Sequence, residues 1–213
     1  MPHLGRWKAR DVIAHLGGVH RWATRIVASA SMDGPGFRKS KLDGEELLDW
    51  FDEGVEHLVA ELGQHDPDDP CPNFNPGSPG VVRFWYARQL HETSIHRWDV
   101  ESAFGDPEPI HRNTAAHGIA EYLDVFIRTR GKQTLTGPLR VTSTDVERSF
   151  LLTPAAKPGR IDIEFGGTRA TEAEIAGRAS DVLLHLWGRR SFDDAEVTVT
   201  GDAVVARSLT EPV

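Results

Sequence analysis

Residues 81–104 constrain the fold more than any other stretch of the chain. The segment VVRFWYARQLHETSIHRWDVESAF contains neither proline nor glycine, and its apolar side chains occur on nearly every side of a helix. This pattern is typical of a helix buried at the centre of a bundle rather than one lying on its surface. We therefore predict a central helix here, on which each polar side chain requires a specific partner.

Four ionisable side chains recur at helical spacing within this segment. Glu92 and His96 stand four residues apart, so both project from one face, about one turn from each other. Arg88 lies one turn earlier, and Asp99 lies about one turn later. Burying such groups is costly unless they are paired or coordinate an ion. The spacing therefore suits two metal ligands on one helix, although an exposed ion pair between Glu92 and His96 is the alternative.

A helix predicted over residues 10–30 contributes a further candidate ligand. His15 lies at the edge of its apolar stripe and is expected to face inward, either as a core histidine or as a ligand. His20 points away from His15 and is expected to face solvent. Gly17 and Gly18 each weaken a helix by about 1 kcal/mol relative to alanine. They indicate that another helix or a ligand approaches closely at this point.

The remaining periodicity predicts an α+β fold in two domains. Helices over residues 43–62, with Asp43 as N-cap, and 113–130 would complete a helical bundle of four helices in residues 1–132. The period then becomes alternating, which predicts a small α+β domain in residues 133–213 with a mostly antiparallel sheet of four or five strands. Ser180 is the predicted N-cap of a helix in this second domain.

Composition limits the partners and the location of the protein. The 24 basic and 32 acidic residues give a formal charge of −8, which disfavours nucleic acid and anionic membranes as partners. Because the sequence shows neither a membrane-spanning apolar run nor the apolar core of a signal peptide, we expect a cytoplasmic protein. The single cysteine, Cys71, excludes an internal disulfide framework and has no base nearby in sequence to activate it. Any thiol chemistry would therefore depend on a cofactor.

Three segments carry a resemblance to a known family. RWKARDVIAHLGGVHRWA, RQLHETSIHRWDVESAFG and RASDVLLHLWGRRSFDDAEVTVTGD resemble, in order and spacing, signatures of the mycothiol-dependent maleylpyruvate isomerase family. The resemblance implies an N-terminal DinB-like four-helix bundle that binds a divalent metal, usually taken to be zinc. In that family the ligands are an early histidine and a Glu-x-x-x-His pair, which fall here on His15, Glu92 and His96. Two imidazoles and one carboxylate suit zinc and leave the open position typical of a catalytic site.

The resemblance also implies an activity. It indicates an enzyme that uses mycothiol as its cofactor thiol and acts on a small electrophilic or unsaturated acid, as a cis–trans isomerase or an S-transferase. Arg88 is then the candidate partner of an anionic substrate, unless it pairs with Glu92 or Asp99. Asp99 is expected to orient a ligand imidazole or to cap the neighbouring loop. A metal-dependent hydrolase that uses bound water and a non-catalytic metal- or ligand-binding module are the alternatives.

The sequence departs from the family pattern near its start. Family members usually begin with another helix before the tryptophan that aligns with Trp7, so either the start is truncated or residues 113–130 complete the bundle. Lys8 stands where the family commonly has a threonine or serine helix cap. His91 points about 100° around the helix from Glu92 and is expected to pack or to support a ligand rather than to act as a fourth one.

Overall fold

Helices fill the N-terminal half of the chain, and a five-stranded, mostly antiparallel sheet with further helices follows, which confirms the α+β class. The computed structural model describes residues 2–75, 77–127, 135–157 and 159–210. Internal contacts divide the chain into two units, Met1–Glu108 and Pro109–Val213. The domain boundary predicted near residue 132 lies outside the described residues. Within the described ranges, no helix is long and apolar enough to cross a membrane.

The first unit contains three long helices after a short 3-10 helix, Pro2–Leu4. They are α1 (Ala9–Ser29), α2 (Gly44–Leu62) and α3 (Arg83–Glu101). The Asp43 carboxylate accepts the backbone N–H of Gly44 at 3.0 Å, as expected of an N-cap. Lys8 has no side-chain oxygen to cap α1, and the Asp11 carboxylate instead accepts the Lys8 backbone N–H at 2.9 Å.

Helix α3 is buried along most of its circumference, as its sequence predicts. Trp85 is fully buried, and Ile95 and Trp98 are nearly so. The exception is a single strip formed by Arg83, Tyr86 and Leu90, which are exposed. Because these three residues follow helical spacing, one side of α3 remains open to solvent.

Helix α1 is covered on two sides, which corrects one prediction. His20, expected to face solvent, is only 1% exposed. Its Nε2 lies 3.1 Å from Thr93 Oγ1 of α3, and its ring lies 5.5 Å from that of Phe51 of α2. The prediction was wrong because it assumed that only the apolar stripe of α1 is buried. The polar side that carries His20 is buried as well.

The two glycines of α1 permit close contacts, as the sequence indicates. A Cβ added at Gly17 would lie closer than 3.0 Å to the Trp50 ring of α2. A Cβ at Gly18 would overlap the backbone carbonyl of Arg38 in the following loop at a similarly short distance. Larger side chains at either position would therefore push α2 or the loop away from α1.

The loop between α1 and α2, residues 30–43, runs back along α1 and is called here the return loop. Its successive residues meet successively earlier turns of the helix. The contacts are Arg25 with the carbonyls of Asp33 and Pro35, Gly18 with the backbone of Arg38, Ala14 O with the N–H of Ser40, and Arg10 with the carbonyl of Leu42. The loop is therefore docked on the helix along nearly its whole length.

The second unit is a sheet packed with helices. The strands are β1 (Leu139–Ser143), β2 (Arg148–Pro154), β3 (Ile161–Phe165), β4 (Ala173–Gly177) and β5 (Val197–Gly201), in the order β3-β2-β1-β4-β5. The pair β1–β4 is parallel, and the other pairs are antiparallel. The helices are α4 (Arg112–Glu121), which continues as a π-helix (Tyr122–Ile127), α5 (Ala179–Leu186) and α6 (Ala203–Arg207).

Two details of these helices differ from the sequence prediction. The helix predicted over residues 113–130 packs against α5 within the second unit, and residues 128–130 lie outside the described ranges. Ser180 is not the N-cap of α5, because the helix already begins at Ala179. The Asp145 carboxylate accepts the Ala179 N–H at 2.8 Å and takes over the capping role from a distant part of the chain. The Ser180 hydroxyl instead accepts the backbone N–H of Ile110 at 3.0 Å.

Candidate metal centre

Three side chains selected from the sequence meet inside the first unit. His15 comes from α1, and Glu92 and His96 come from consecutive turns of α3. One potential ligand atom from each lies within 4.8 Å of the other two. The two imidazole rings are 5.1 Å apart and nearly perpendicular. The structure therefore brings together two nitrogen donors and one carboxylate from two helices.

Glu92 is the centre of this cluster. Its Oε1 lies 3.1 Å from His15 Nε2 and 3.3 Å from His96 Nε2. Its Oε2 accepts a hydrogen bond from Arg88, whose side chain is 5% exposed. Burial tends to raise the pKa of Glu92, but the hydrogen bonds from His15 and His96 and the charge of Arg88 hold it well below its usual range. Glu92 is therefore ionised at neutral pH.

His96 is oriented by a buried carboxylate. Its Nδ1 lies 2.8 Å from Asp99 Oδ2, and Asp99 is fully buried. Burial lowers the pKa of His96, but the hydrogen bonds to Asp99 and Glu92 more than offset it and raise the pKa. When the imidazole is neutral, a proton held on Nδ1 by Asp99 leaves the Nε2 lone pair directed at the cluster, the arrangement usual for metal-ligating histidines.

A second histidine, His3, also contacts the Asp99 carboxylate, and sequence reasoning missed it. His3 Nε2 lies 3.0 Å from Asp99 Oδ1, and its ring lies 5.2 Å from the Trp98 ring. His3 belongs to the short 3-10 helix at the start of the chain. A segment of this length has no periodicity, so nothing in the local sequence signals the contact.

Aromatic rings and one lysine surround the exposed side of His15. The His15 ring packs 5.3 Å from Trp7 and 5.0 Å from Phe37. Lys39 Nζ lies 3.0 Å from the centre of the Trp7 ring, a cation–π contact. Burial lowers the pKa of Lys39. These groups come from the return loop and from the segment before α1, where spacing gave no indication of a site.

The remaining residues considered from sequence fall beside the cluster. Arg88 forms the ion pair with Glu92 that was one of its two expected roles, so its contact with a substrate stays a prediction. His91 is buried, 5% exposed, and is not among the three residues that could share an ion. That His91 does not act as a fourth ligand stays a prediction.

The donor set fits a divalent metal. Two imidazole nitrogens and one ionised carboxylate are ligands that zinc accepts, and three protein ligands leave a coordination position open. Asp99 and Arg88 already fix the orientation of His96 and Glu92. His15 differs, because its Nδ1 is buried and has no hydrogen-bond partner within the described ranges. The geometry suits an ion held mainly by α3 and completed by α1.

The fold and the site together define a two-unit α+β protein with a candidate metal centre in its helical unit. Comparison with protein families assigns both units. The model of the mycothiol maleylpyruvate isomerase N-terminal domain matches residues 1–101, and that of the corresponding C-terminal domain matches residues 113–207. The chain belongs to the mycothiol maleylpyruvate isomerase family.

Other comparisons add little to this assignment. A search of curated proteins returned no match. Among solved structures, sterol carrier protein 2 like 2 from Aedes aegypti is 16% identical, with a TM-score of 0.33 over 45% of this chain and 96% of that one. The inverting sec-alkylsulfatase Pisa1 from Pseudomonas sp. is 10% identical, with a TM-score of 0.34 over 100% of this chain and 33% of the sulfatase. Likenesses this weak support no functional inference.

Proposed function

We propose that the chain is a metal- and mycothiol-dependent enzyme, acting as a maleylpyruvate isomerase-like cis–trans isomerase or as a thiol S-transferase. The observation that carries this proposal is the meeting of His15, Glu92 and His96 inside a chain of the mycothiol maleylpyruvate isomerase family. We expect a divalent ion at this cluster, and the donor set favours zinc. When bound, such an ion would offer an open coordination position and lower the pKa of a small-molecule thiol that enters it.

The side chains around the cluster would prepare it for an ion. Arg88 holds Glu92 Oε2, so Oε1 stays directed at the two histidines. Asp99 holds the ring of His96 in place through Nδ1. Ligands fixed in this way lose little conformational freedom on binding, which favours affinity.

The protein itself offers no accessible thiol within the described residues. Cys71 is 2% exposed and packs in the apolar core with Ile26 and Val82. Burial raises the pKa of its thiol, so it remains protonated at neutral pH. A thiol-dependent reaction therefore has to use a thiol from solution, which agrees with mycothiol as the cofactor.

Arg88 is the proposed partner of the substrate. A guanidinium binds a carboxylate strongly and with a defined orientation, and Arg88 is already held beside the cluster by Glu92. We expect Arg88→Ala to raise KM for an acidic substrate. Because Arg88 also orients Glu92, metal content has to be measured for the same variant, so that a loss of the ion is not mistaken for a loss of substrate binding.

Metal binding is tested first. Protein stripped with a chelator is titrated with zinc by calorimetry, and we expect one ion per chain. His96→Ala and Glu92→Gln should abolish high-affinity binding. His57→Ala is the matched control, because His57 is an exposed histidine on α2 outside the cluster. Equal zinc affinity in all three variants would refute the metal centre.

Activity is tested with zinc-loaded protein, maleylpyruvate and a panel of small electrophiles. We expect turnover that saturates with added mycothiol and is much slower with a simple thiol, because contacts to the rest of the cofactor contribute binding energy. Turnover that is indifferent to thiol would instead favour the hydrolase. Tight metal binding without any turnover would favour a non-catalytic binding module. Either result would overturn the mycothiol-dependent enzyme.

A further inference from the structure

A second candidate site lies in the first unit, between α1, α2 and the return loop. It is a cavity of about 260 Å³ that opens to solvent. Three arginines and three aromatic residues form most of its lining, and no aspartate or glutamate contributes to it. The lining residues used below are Arg21, Arg25, Arg38, Trp22, Phe37 and Trp50. The chain as a whole carries a formal charge of −8, so the positive charge of this cavity is opposite in sign to that of the protein.

The charges of the three arginines are only partly neutralised. Arg21 donates to the backbone carbonyl of Trp50 at 2.6 Å and to the Glu53 carboxylate at 2.8 Å. Arg25 donates to two backbone carbonyls of the return loop, which carry no formal charge. Within the described ranges, no hydrogen bond or ion pair holds the guanidinium of the exposed Arg38. One carboxylate thus faces three guanidinium groups, which favours an anion in the cavity.

The position of Arg38 is set by backbone contacts. Its carbonyl lies against Gly18 of α1, closer than a Cβ at that position would allow. Two residues later, the Ser40 N–H donates to the carbonyl of Ala14 at 3.3 Å. The backbone at Arg38 is therefore docked on the helix while its side chain remains free of an ionic partner within the described ranges. That combination is expected of a cation kept available for a ligand.

Flat aromatic surfaces complete the cavity. The guanidinium of Arg21 stacks on the Trp50 ring at 4.0 Å. The Trp22 and Phe37 rings lie 6.4 Å apart at an angle of 64°. This is an edge-to-face contact between the two rings, and the parts of them that line the cavity offer apolar surface to a flat ring. The volume suits a single ring rather than a nucleotide-sized ligand, because it falls just below the usual range for ligand pockets.

We propose that this arginine-lined cavity is a binding site for an aryl carboxylate, with the ring against the aromatic side chains of the lining and the carboxylate on Arg38. Guanidinium groups recognise carboxylates through paired N–H donors, and the aromatic lining favours a flat ring over a short aliphatic chain. None of His15, Glu92 and His96 lines this cavity, although Phe37, which does, also packs against the His15 ring. Binding at the cavity does not require a bound metal or thiol. It therefore goes beyond the proposed enzymatic function.

The site is tested by NMR on ¹⁵N-labelled protein without added metal or thiol, with benzoate as the probe. Benzamide has the same shape without the charge, and acetate has the charge without the ring. We expect benzoate to shift the indole N–H signals of Trp22 and Trp50 and the Nε–H signal of Arg38. Benzamide and acetate should each bind at least about tenfold more weakly. Equal binding of either analogue, or benzoate shifts confined to other residues, would overturn the proposal.

Two arginine variants separate a specific contact from general electrostatic attraction. Arg38→Gln should weaken benzoate binding by about tenfold, because it removes a charged donor to the carboxylate. Arg6→Gln makes the same change of charge at an exposed position of the same unit outside the cavity and should leave the affinity unchanged. Equal weakening by both variants would refute the site. The zinc affinity of both variants is measured in a separate titration. A loss of benzoate binding can then be distinguished from a loss of metal binding.

Discussion

Acidification should destabilise the first unit through the burial of His20. This side chain is 1% exposed, and burial lowers its pKa from 6.5 to about 4. The charge of Glu92 acts in the opposite direction, and those of Arg21 and His96 act in the same direction as burial. Because the pKa of His20 is lower in the folded chain than in the unfolded chain, the unfolded chain binds the proton more readily. Stability is therefore complete above the unfolded pKa and is lost as the pH falls below that value.

The size of the effect follows from the shift. Between pH 6.5 and about pH 4, the unfolded chain takes up a proton at residue 20 while the folded chain does not. A change of one pKa unit corresponds to about 1.4 kcal/mol, so the whole interval costs about 3 kcal/mol of unfolding free energy. Below about pH 4 both states are protonated, and this contribution stops changing.

The assay compares wild type with His20→Gln, in which residue 20 cannot titrate but can still hydrogen-bond to Thr93. Unfolding by urea is measured from about pH 7 to about pH 4. Tryptophan fluorescence reports mainly on the first unit, which contains five of the six tryptophans. The wild type should lose about 3 kcal/mol more than the variant over this interval. Parallel loss of stability in both proteins would refute the assignment of His20 as a buried neutral group. His57→Gln is the control, because it removes an exposed histidine.

Two further predictions concern the packing of α1 and the support of His96. Gly18→Ala should lower the free energy of unfolding by about 1–2 kcal/mol, because the clash with the Arg38 carbonyl outweighs the gain in helix propensity. A melting temperature at or above that of wild type would contradict this, and Gly36→Ala, where a Cβ meets nothing within 4 Å, is the control. Asp99→Asn should weaken zinc binding by about 10–100-fold, because His96 loses its charged acceptor. Competition with a chelator measures the zinc affinity, and Asp106→Asn, at an exposed aspartate, is the control. An unchanged zinc affinity in Asp99→Asn would show that the Asp99 carboxylate does not support the site.

Local spacing predicted those parts of the site that lie on one helix. Glu92 and His96 share a face of α3 because they are one turn apart, and Asp99 reaches His96 for the same reason. The meeting of His15 with this pair joins positions 77 residues apart, so the helical pattern alone could not predict it and the family resemblance was needed.

Other parts of the structure depend on contacts that local patterns do not encode. The approach of His3 to Asp99 is set by the path of the short segment before α1. His20 was misplaced because helical periodicity identifies the most apolar side of a helix, whereas the number of neighbours decides how many sides are buried. The cap of α5 is likewise supplied by Asp145, 34 residues before Ala179.

The return loop and α1 are matched in length. The helix rises about 1.5 Å per residue, so the fifteen residues from Arg25 back to Arg10 cover about 22 Å. The loop runs beside this stretch from Asp33 to Leu42 in nine residues, each of which spans at most about 3.3–3.6 Å. About seven fully extended residues would match the length of the helix stretch, so the loop has about two residues to spare before the side chains of Arg25 and Arg10 must lean along α1 to keep their contacts. Further shortening would strain the contacts at its ends, whereas an insertion near its middle would leave both ends docked and displace only Arg38 and its neighbours.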